Sequence, residues 1–181
     1  MALESKKGEL DSKIIDFNLP GIDGRHHSLK EYGDAKVLVI IFMCNHCPYV
    51  KGVAGRFTEF QKNFESKAVR LIGINSNDTV SYPEDSFENM KLFAKEYNLN
   101  FPYLFDETQS IAKQYDAVCT PDIYVYNKER KLKYRGRLDD NWKDVNAVRE
   151  KDLEKAVNLI LQGKDIEFSQ IPSMGCSIKW K

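Results

Sequence analysis

Cys44 and Cys47 are the residues of this chain whose type and spacing point most directly to chemistry. They stand in VLVIIFMCNHCPYV, where an apolar run, residues 37–42, leads into two cysteines separated by Asn45 and His46, with Pro48 next. Such a run reads as a buried strand that delivers a Cys-x-x-Cys pair to the first turn of a helix. There, unpaired backbone N–H groups and the helix dipole favour an anion, here a thiolate. A dithiol so placed exchanges with disulfides through a mixed-disulfide intermediate. The competing reading is half of a zinc site, which calls for a second cysteine pair or a spaced pair of histidines. Cys119 and Cys176 stand alone and His26-His27 lies in an expected hairpin, so redox chemistry is the better reading and no metal is expected. Position then suggests roles. Cys44, at or before the first turn, is expected to be the exposed attacking thiolate, and Cys47, one turn deeper, the buried resolving thiol. His46, as a partly protonated imidazole beside the pair, is expected to lower the thiolate pKa.

Thr120-Pro121 is the second signal. An X-Pro pair before a strand is commonly a turn that fixes φ, and its cis form lies only about 0.5–1 kcal/mol above trans. Facing the dithiol, a cis-proline leaves the Thr120 backbone to pair with an extended substrate. Cys119, two residues before Pro121, and Cys176, near Trp180, are possible auxiliary thiols. Each reads either as a small apolar side chain or as part of a fold-back in which Cys176 pairs with Cys119 or relays oxidation from Cys44. Arg135, Arg137, Asp139 and Asp140, in YRGRLDD, read as solvated charges at the end of an edge strand.

The elements that must position these residues follow from periodicity and turn chemistry. Residues 1–13 read as a loose start. Residues 14–19 alternate like a short strand, PGIDG is a turn, and residues 25–28 form the returning arm of a hairpin. Ser28 and Glu31 are spaced for a capping box over a short turn to Tyr32. Residues 37–43 are continuously apolar, as in a parallel strand covered on both faces. A helix is expected over 45–64, a strand over 69–74, a loop over 76–85 and a helix over 86–97. A strand over 101–105, a helix over 107–115 and strands over 123–127 and 132–136 come next, the last two joined by a charged turn as a hairpin. Residues 151–162 form a final helix stopped by Gly163, and residues 164–181 are a tail. This order predicts an α/β layered fold with a mixed central sheet, one domain spanning 1–181.

Composition narrows the partners. The chain is 42% hydrophobic and 30% charged, and Lys+Arg 27 balance Asp+Glu 27, so neither nucleic acid nor an anionic membrane is an expected partner. The polar N-terminus MALESKKGELDSK has no apolar signal core and no run reaches a membrane span, so a cytoplasmic location is expected. Four cysteines are too few for a disulfide scaffold. In a reducing compartment Cys-x-x-Cys means redox or metal chemistry before stapling.

VLVIIFMCNHCPYVKG, the preface DFNLPGIDGRHHSL, and CTPDIYVYN followed by KLKYRGRLDD together resemble the thioredoxin-like superfamily. More closely, the chain resembles its peroxiredoxin-like branch, the alkyl hydroperoxide reductase/thiol-specific antioxidant family, from about residue 14 to the closing PSMGCSIKWK. The resemblance implies a thioredoxin-like fold with an N-terminal hairpin, Cys44 and Cys47 as the active pair, and Pro121 as the cis-proline. The peroxidatic cysteine of that family corresponds to Cys47, with a threonine where this chain has Cys44 and a proline where it has Ile40. Thioredoxins bury an aspartate where this chain has Leu38, which leaves proton transfer to another group, with Asp139 and Asp140 as candidates. The expected function is thiol–disulfide exchange with protein or small-molecule disulfides, supplied by a thiol reductant. The alternatives are a thiol peroxidase consuming hydroperoxides through a cysteine sulfenate, or a redox sensor or metal-holding module without turnover. No cofactor is implied, because the cysteines carry the electrons.

Overall fold

The computed structural model describes residues 1–181. In chain order its elements are β1 (Ala2–Glu4), β2 (Asn18–Pro20), β3 (His26–Ser28), β4 (Val37–Phe42), α1 (Pro48–Phe64), β5 (Val69–Asn75) and α2 (Phe87–Glu96). They continue with β6 (Tyr103–Phe105), α3 (Ser110–Gln114), β7 (Cys119–Thr120), β8 (Asp122–Tyr126), β9 (Leu132–Arg135), α4 (Asp152–Leu161) and β10 (Met174–Ser177). Five strands form the central sheet in the order β6-β5-β4-β8-β9. The β4–β5 and β5–β6 pairs are parallel, and β4–β8 and β8–β9 antiparallel. This is the mixed sheet that the sequence predicts.

β4 is the central strand, and every one of its residues is buried. Successive side chains point to opposite faces, so Val37, Val39 and Ile41 join the cluster under α1 and α4, while Leu38, Ile40 and Phe42 join Phe17, Ile111, Tyr115 and Tyr124 on the other side. Each such side chain contributes roughly 1.5–3 kcal/mol by leaving water. The helix after it starts at Pro48 rather than at residue 45. Proline lacks an N–H, and the first helical position is where that loss is harmless; Cys47 becomes the N-cap. Gly52 on α1 allows close approach of the Trp142 carbonyl, which a Cβ would meet at 2.6 Å.

A hairpin β2–β3 and the capped turn after it form, with the Ser28 N–H donating to Glu31 Oε1 at 2.6 Å, but the first arm is Asn18–Pro20 rather than residues 14–19. The two chain ends differ from expectation. Ala2–Glu4, expected to be loose, pairs antiparallel with Met174–Ser177 of the tail, which pairs in turn with Cys119–Thr120. Backbone groups make these ladders, and the β1 side chains are exposed, so no apolar pattern announces them. No helix is long and apolar enough to cross a membrane.

The charges expected to be solvated at the end of β9 are largely engaged. Arg135 is buried against Asp122, at 2.7 Å, Asp139 pairs with Arg56, and Arg137 pairs with Asp152. Asp139 is therefore tied to α1 and is not a free acid for the dithiol.

Candidate active site

The β4–β5 ladder runs on one residue past β4, with the Met43 N–H donating to the Ile74 carbonyl at 2.9 Å. Cys44 is therefore the first residue to leave the sheet, and Cys47 sits where the helix begins. Their side chains converge on one residue: Cys44 Sγ lies 3.3 Å from Thr120 Oγ1, and the Cys47 thiol donates to the Thr120 carbonyl at 3.2 Å. The Thr120–Pro121 peptide bond is cis. Asp122, next in sequence, anchors that loop through the buried Arg135, which donates twice to its carboxylate and once to the Asp116 carbonyl.

The two thiols are unequal, and the inequality is the reverse of that expected. Cys44 is only 1% exposed and Cys47 0%, so neither is the open thiol the sequence suggests for Cys44. A hydrogen bond from Cys44 to Cys47 raises the pKa of Cys44, burial raises it further, and the Asp85 charge adds to both. The same hydrogen bond lowers Cys47 to about 5 against the opposing effect of burial, helped by the Cys176 thiol and by the Val50 and Cys176 N–H groups. Cys47 thus holds its proton less tightly than Cys44, because donors from Cys44, Cys176 and Val50 reach its sulfur while a carboxylate stands near that of Cys44.

Asp85 is the site residue that sequence reasoning missed. It is wholly buried at the end of a short 3-10 turn, Pro83–Asp85. Its Oδ1 accepts from the Asn45 N–H at 2.8 Å and the His46 N–H at 3.1 Å. Its Oδ2 accepts from His46 Nδ1 at 2.6 Å and Asn77 Nδ2 at 2.7 Å. Asp85 thereby fixes the backbone between the two cysteines. The hydrogen bond of the His46 ring goes to Asp85 rather than to a sulfur, and the ring stacks on Tyr82 at 5.7 Å. His46 therefore reaches the dithiol through Asp85. The only local signal for Asp85 is an acid just before Ser86, which caps α2.

Cys44, His46 and Asp85 also bring a sulfur, an imidazole nitrogen and a carboxylate oxygen within 4.8 Å of one another, a donor set of the kind zinc accepts. Here His46 Nδ1 and both Asp85 oxygens are committed to hydrogen bonds.

Replacing Asp85 by Asn is expected to lower the Cys44 pKa, since it removes the neighbouring negative charge. It is also expected to destabilise the fold by about 1–3 kcal/mol or more, because each carboxylate oxygen accepts from two donors and an amide nitrogen in place of either accepts from none. NMR titration of 13C-labelled cysteine and urea unfolding check the two effects; an unmoved Cys44 titration would count against the electrostatic role of Asp85.

The remaining thiols separate. Cys119 is buried, 3.8 Å from the Pro121 carbonyl, and burial pushes its pKa far up. Its ladder partner is Ser177, so the tail does not bring Cys176 against it in the strand pairing. Cys176 instead lies opposite Thr120 and meets Cys47, and burial pushes its pKa up to about 11. All four cysteines are free thiols.

Residues 10–135 match the family described as the AhpC/TSA family. A crystal structure of an uncharacterized conserved protein from Geobacillus kaustophilus superposes on all of this chain and 97% of its own, with a TM-score of 0.94 and 42% sequence identity. The thiol-disulfide oxidoreductase ResA of Bacillus thuringiensis subsp. konkukian is 22% identical over 129 residues, which cover 71% of this chain and 70% of ResA. The chloroplastic peroxiredoxin Q of Gentiana triflora is 28% identical over 99 residues, 55% of this chain and 42% of that protein.

Proposed function

The chain belongs to the AhpC/TSA family, and on that premise we propose that it is a thiol–disulfide oxidoreductase working through Cys44 and Cys47. The observation that carries this is a pair of thiols at a helix start whose sulfurs converge on Thr120 before the cis-proline, 3.3 Å from its Oγ1 and 3.2 Å from its carbonyl. The Cys47 thiolate attacks a disulfide presented to it, forming a mixed disulfide and expelling one thiol. Cys44 then attacks the Cys47 sulfur, the Cys44–Cys47 disulfide closes, and the second thiol leaves. Two electrons pass from the protein to the substrate, and a thiol reductant restores the dithiol. Protein or small-molecule disulfides are the substrate class, and a cytoplasmic setting would supply the reductant. His46 acts through Asp85, while Thr120 and Pro121 hold the wall against which both sulfurs pack.

Purified protein is expected to accelerate the reduction of hydroxyethyl disulfide or insulin by dithiothreitol, and mild oxidation is expected to give a Cys44–Cys47 link on peptide mapping. Absence of both the acceleration and the link would overturn the dithiol reading. The low pKa of Cys47 favours one second reading, a thiol peroxidase, since a thiolate is also what attacks a hydroperoxide. Cys44 and Ile40 stand where peroxiredoxins carry threonine and proline. Hydroperoxide consumption measured beside disulfide reduction decides between the two.

A further inference from the structure

Of the four thiols, Cys44, Cys47 and Cys119 are buried and Cys176 alone is partly exposed. Cys176 lies opposite Thr120 in the β7–β10 ladder, and Thr120 is the residue on which Cys44 and Cys47 converge. It packs against the apolar cluster that contains both cysteines. Hydrogen bonding from its thiol and its backbone N–H is among the causes that lower the Cys47 pKa. Gly175 brings the strand this close, because a Cβ there would lie 1.9 Å from the Thr120 carbonyl oxygen. The tail is also fastened on either side of this contact. β1 pairs with the other edge of β10, the Lys179 N–H donates to Asn77 Oδ1 at 2.9 Å, and Gln109 Nε2 donates to the Lys179 carbonyl at 2.7 Å.

We infer that Cys176 is the entry thiol through which external disulfides and reductants reach the buried Cys44–Cys47 pair. This rests on the dithiol reading and adds the route by which substrate meets it. The Thr120 backbone edge, expected to be free for an extended substrate, is filled by β10. A substrate therefore engages at Cys176 itself, a geometry suited to low-molecular-weight disulfides. In the first step the Cys176 sulfur attacks a disulfide R–S–S–R, forms Cys176–S–S–R, and its proton leaves with the first thiol RSH. The Cys47 thiolate then attacks the Cys176 sulfur, forming Cys47–S–S–Cys176 and releasing the second group as thiolate. Finally Cys44 attacks the Cys47 sulfur, the Cys44–Cys47 disulfide closes, and the Cys44 proton passes to Cys176. One disulfide is reduced and one is formed. In the reverse direction a dithiol reductant attacks Cys176 in the Cys47–Cys176 disulfide and expels Cys47, the better leaving group because its thiolate is the more stable.

The test uses the whole chain with Cys176→Ser, which keeps a hydroxyl donor beside Cys47, and with Cys44→Ser. Cys176→Ser is expected still to form the Cys44–Cys47 disulfide. Its reduction by dithiothreitol and its electron transfer to DTNB are expected to slow by about tenfold or more, as direct attack on a buried sulfur requires. Cys44→Ser treated with diamide is expected to yield a Cys47–Cys176 disulfide on peptide mapping. Unchanged rates in Cys176→Ser, with the Cys44–Cys47 disulfide present, overturn the entry role alone. So does the absence of a Cys47–Cys176 link in oxidised Cys44→Ser. Wild-type protein that forms no Cys44–Cys47 disulfide overturns the dithiol reading and the entry role with it.

Discussion

Replacing Cys47 by serine is expected to reduce disulfide exchange by about 10³-fold or more, since it removes the group that forms the covalent intermediate. The size of the effect follows from the asymmetry of the site. Cys44 has its pKa raised by its hydrogen bond to Cys47, by burial and by Asp85, so it holds its proton near neutrality and does not replace the lost thiolate. Cys44→Ser should differ in kind. It retains the Cys47 thiolate but cannot close the Cys44–Cys47 disulfide, so it accumulates disulfides of Cys47, with Cys176 or with substrate, that it cannot resolve by the normal route. The same asymmetry fixes a pH profile. Thiolate forms as pH rises through the pKa, so alkylation of Cys47 in the reduced protein should climb with a midpoint at about 5 and level off above it. An ordinary thiol, with a pKa near 8.5, would still be gaining about tenfold per unit at pH 7. Site-resolved alkylation by iodoacetamide, read by peptide mass, checks this. A midpoint near the ordinary thiol value, or full activity of Cys47→Ser, would return the nucleophile to Cys44.

Replacing Arg135 by leucine is expected to destabilise the protein by about 3–5 kcal/mol, the loss typical of leaving one member of a buried ion pair without the other. Both side chains are out of solvent, Arg135 at 4% and Asp122 at 0% exposure. Burial raises the Asp122 pKa even against the neighbouring guanidinium, so without Arg135 the carboxylate keeps only the Tyr124 hydroxyl, at 3.1 Å, and should take up a proton. Arg135 also lies 4.4 Å from the centre of the Tyr124 ring and donates to the Asp116 carbonyl, contacts that leucine cannot replace. Changing both residues together to apolar ones of similar volume should recover much of the loss, because the orphaned charge goes with the arginine. Urea unfolding of the single and double variants measures this; a single-variant loss below about 1 kcal/mol would mean that the pair is worth no more than a surface one. A functional consequence should follow. Asp122 directly follows the Thr120–Pro121 loop, and loosening it moves the wall on which both active-site sulfurs rest, so exchange should slow before the fold is lost.

The central strand, the helix that follows it and the redox pair at their junction were determined by the sequence itself. Six consecutive apolar residues, too short for a helix, rich in Val and Ile and preceded by Gly33-Asp34, read as a strand covered on both faces, and Pro48 is readily accommodated in a helix at its start. Cys44 and Cys47 were legible for the same reason, since their spacing is local and their place between strand and helix is set by their neighbours in the chain. The division of labour between them was not. It depends on Asp85, about forty residues away in a loop, and on Cys176 in the tail, and both act through space. The tail carried no periodic signal because its ladders are made by backbone groups, which every residue possesses, and Gly175 matters through a contact with Thr120 that no local pattern contains. Arg135 read as a solvated charge because its partner, Asp122, lies thirteen residues back, at the start of the strand that pairs with its own. Local propensity thus built the frame and brought two sulfurs together, while burial and long-range partners, which exist only once the chain is folded, decided which sulfur holds the charge and which thiol meets the solvent.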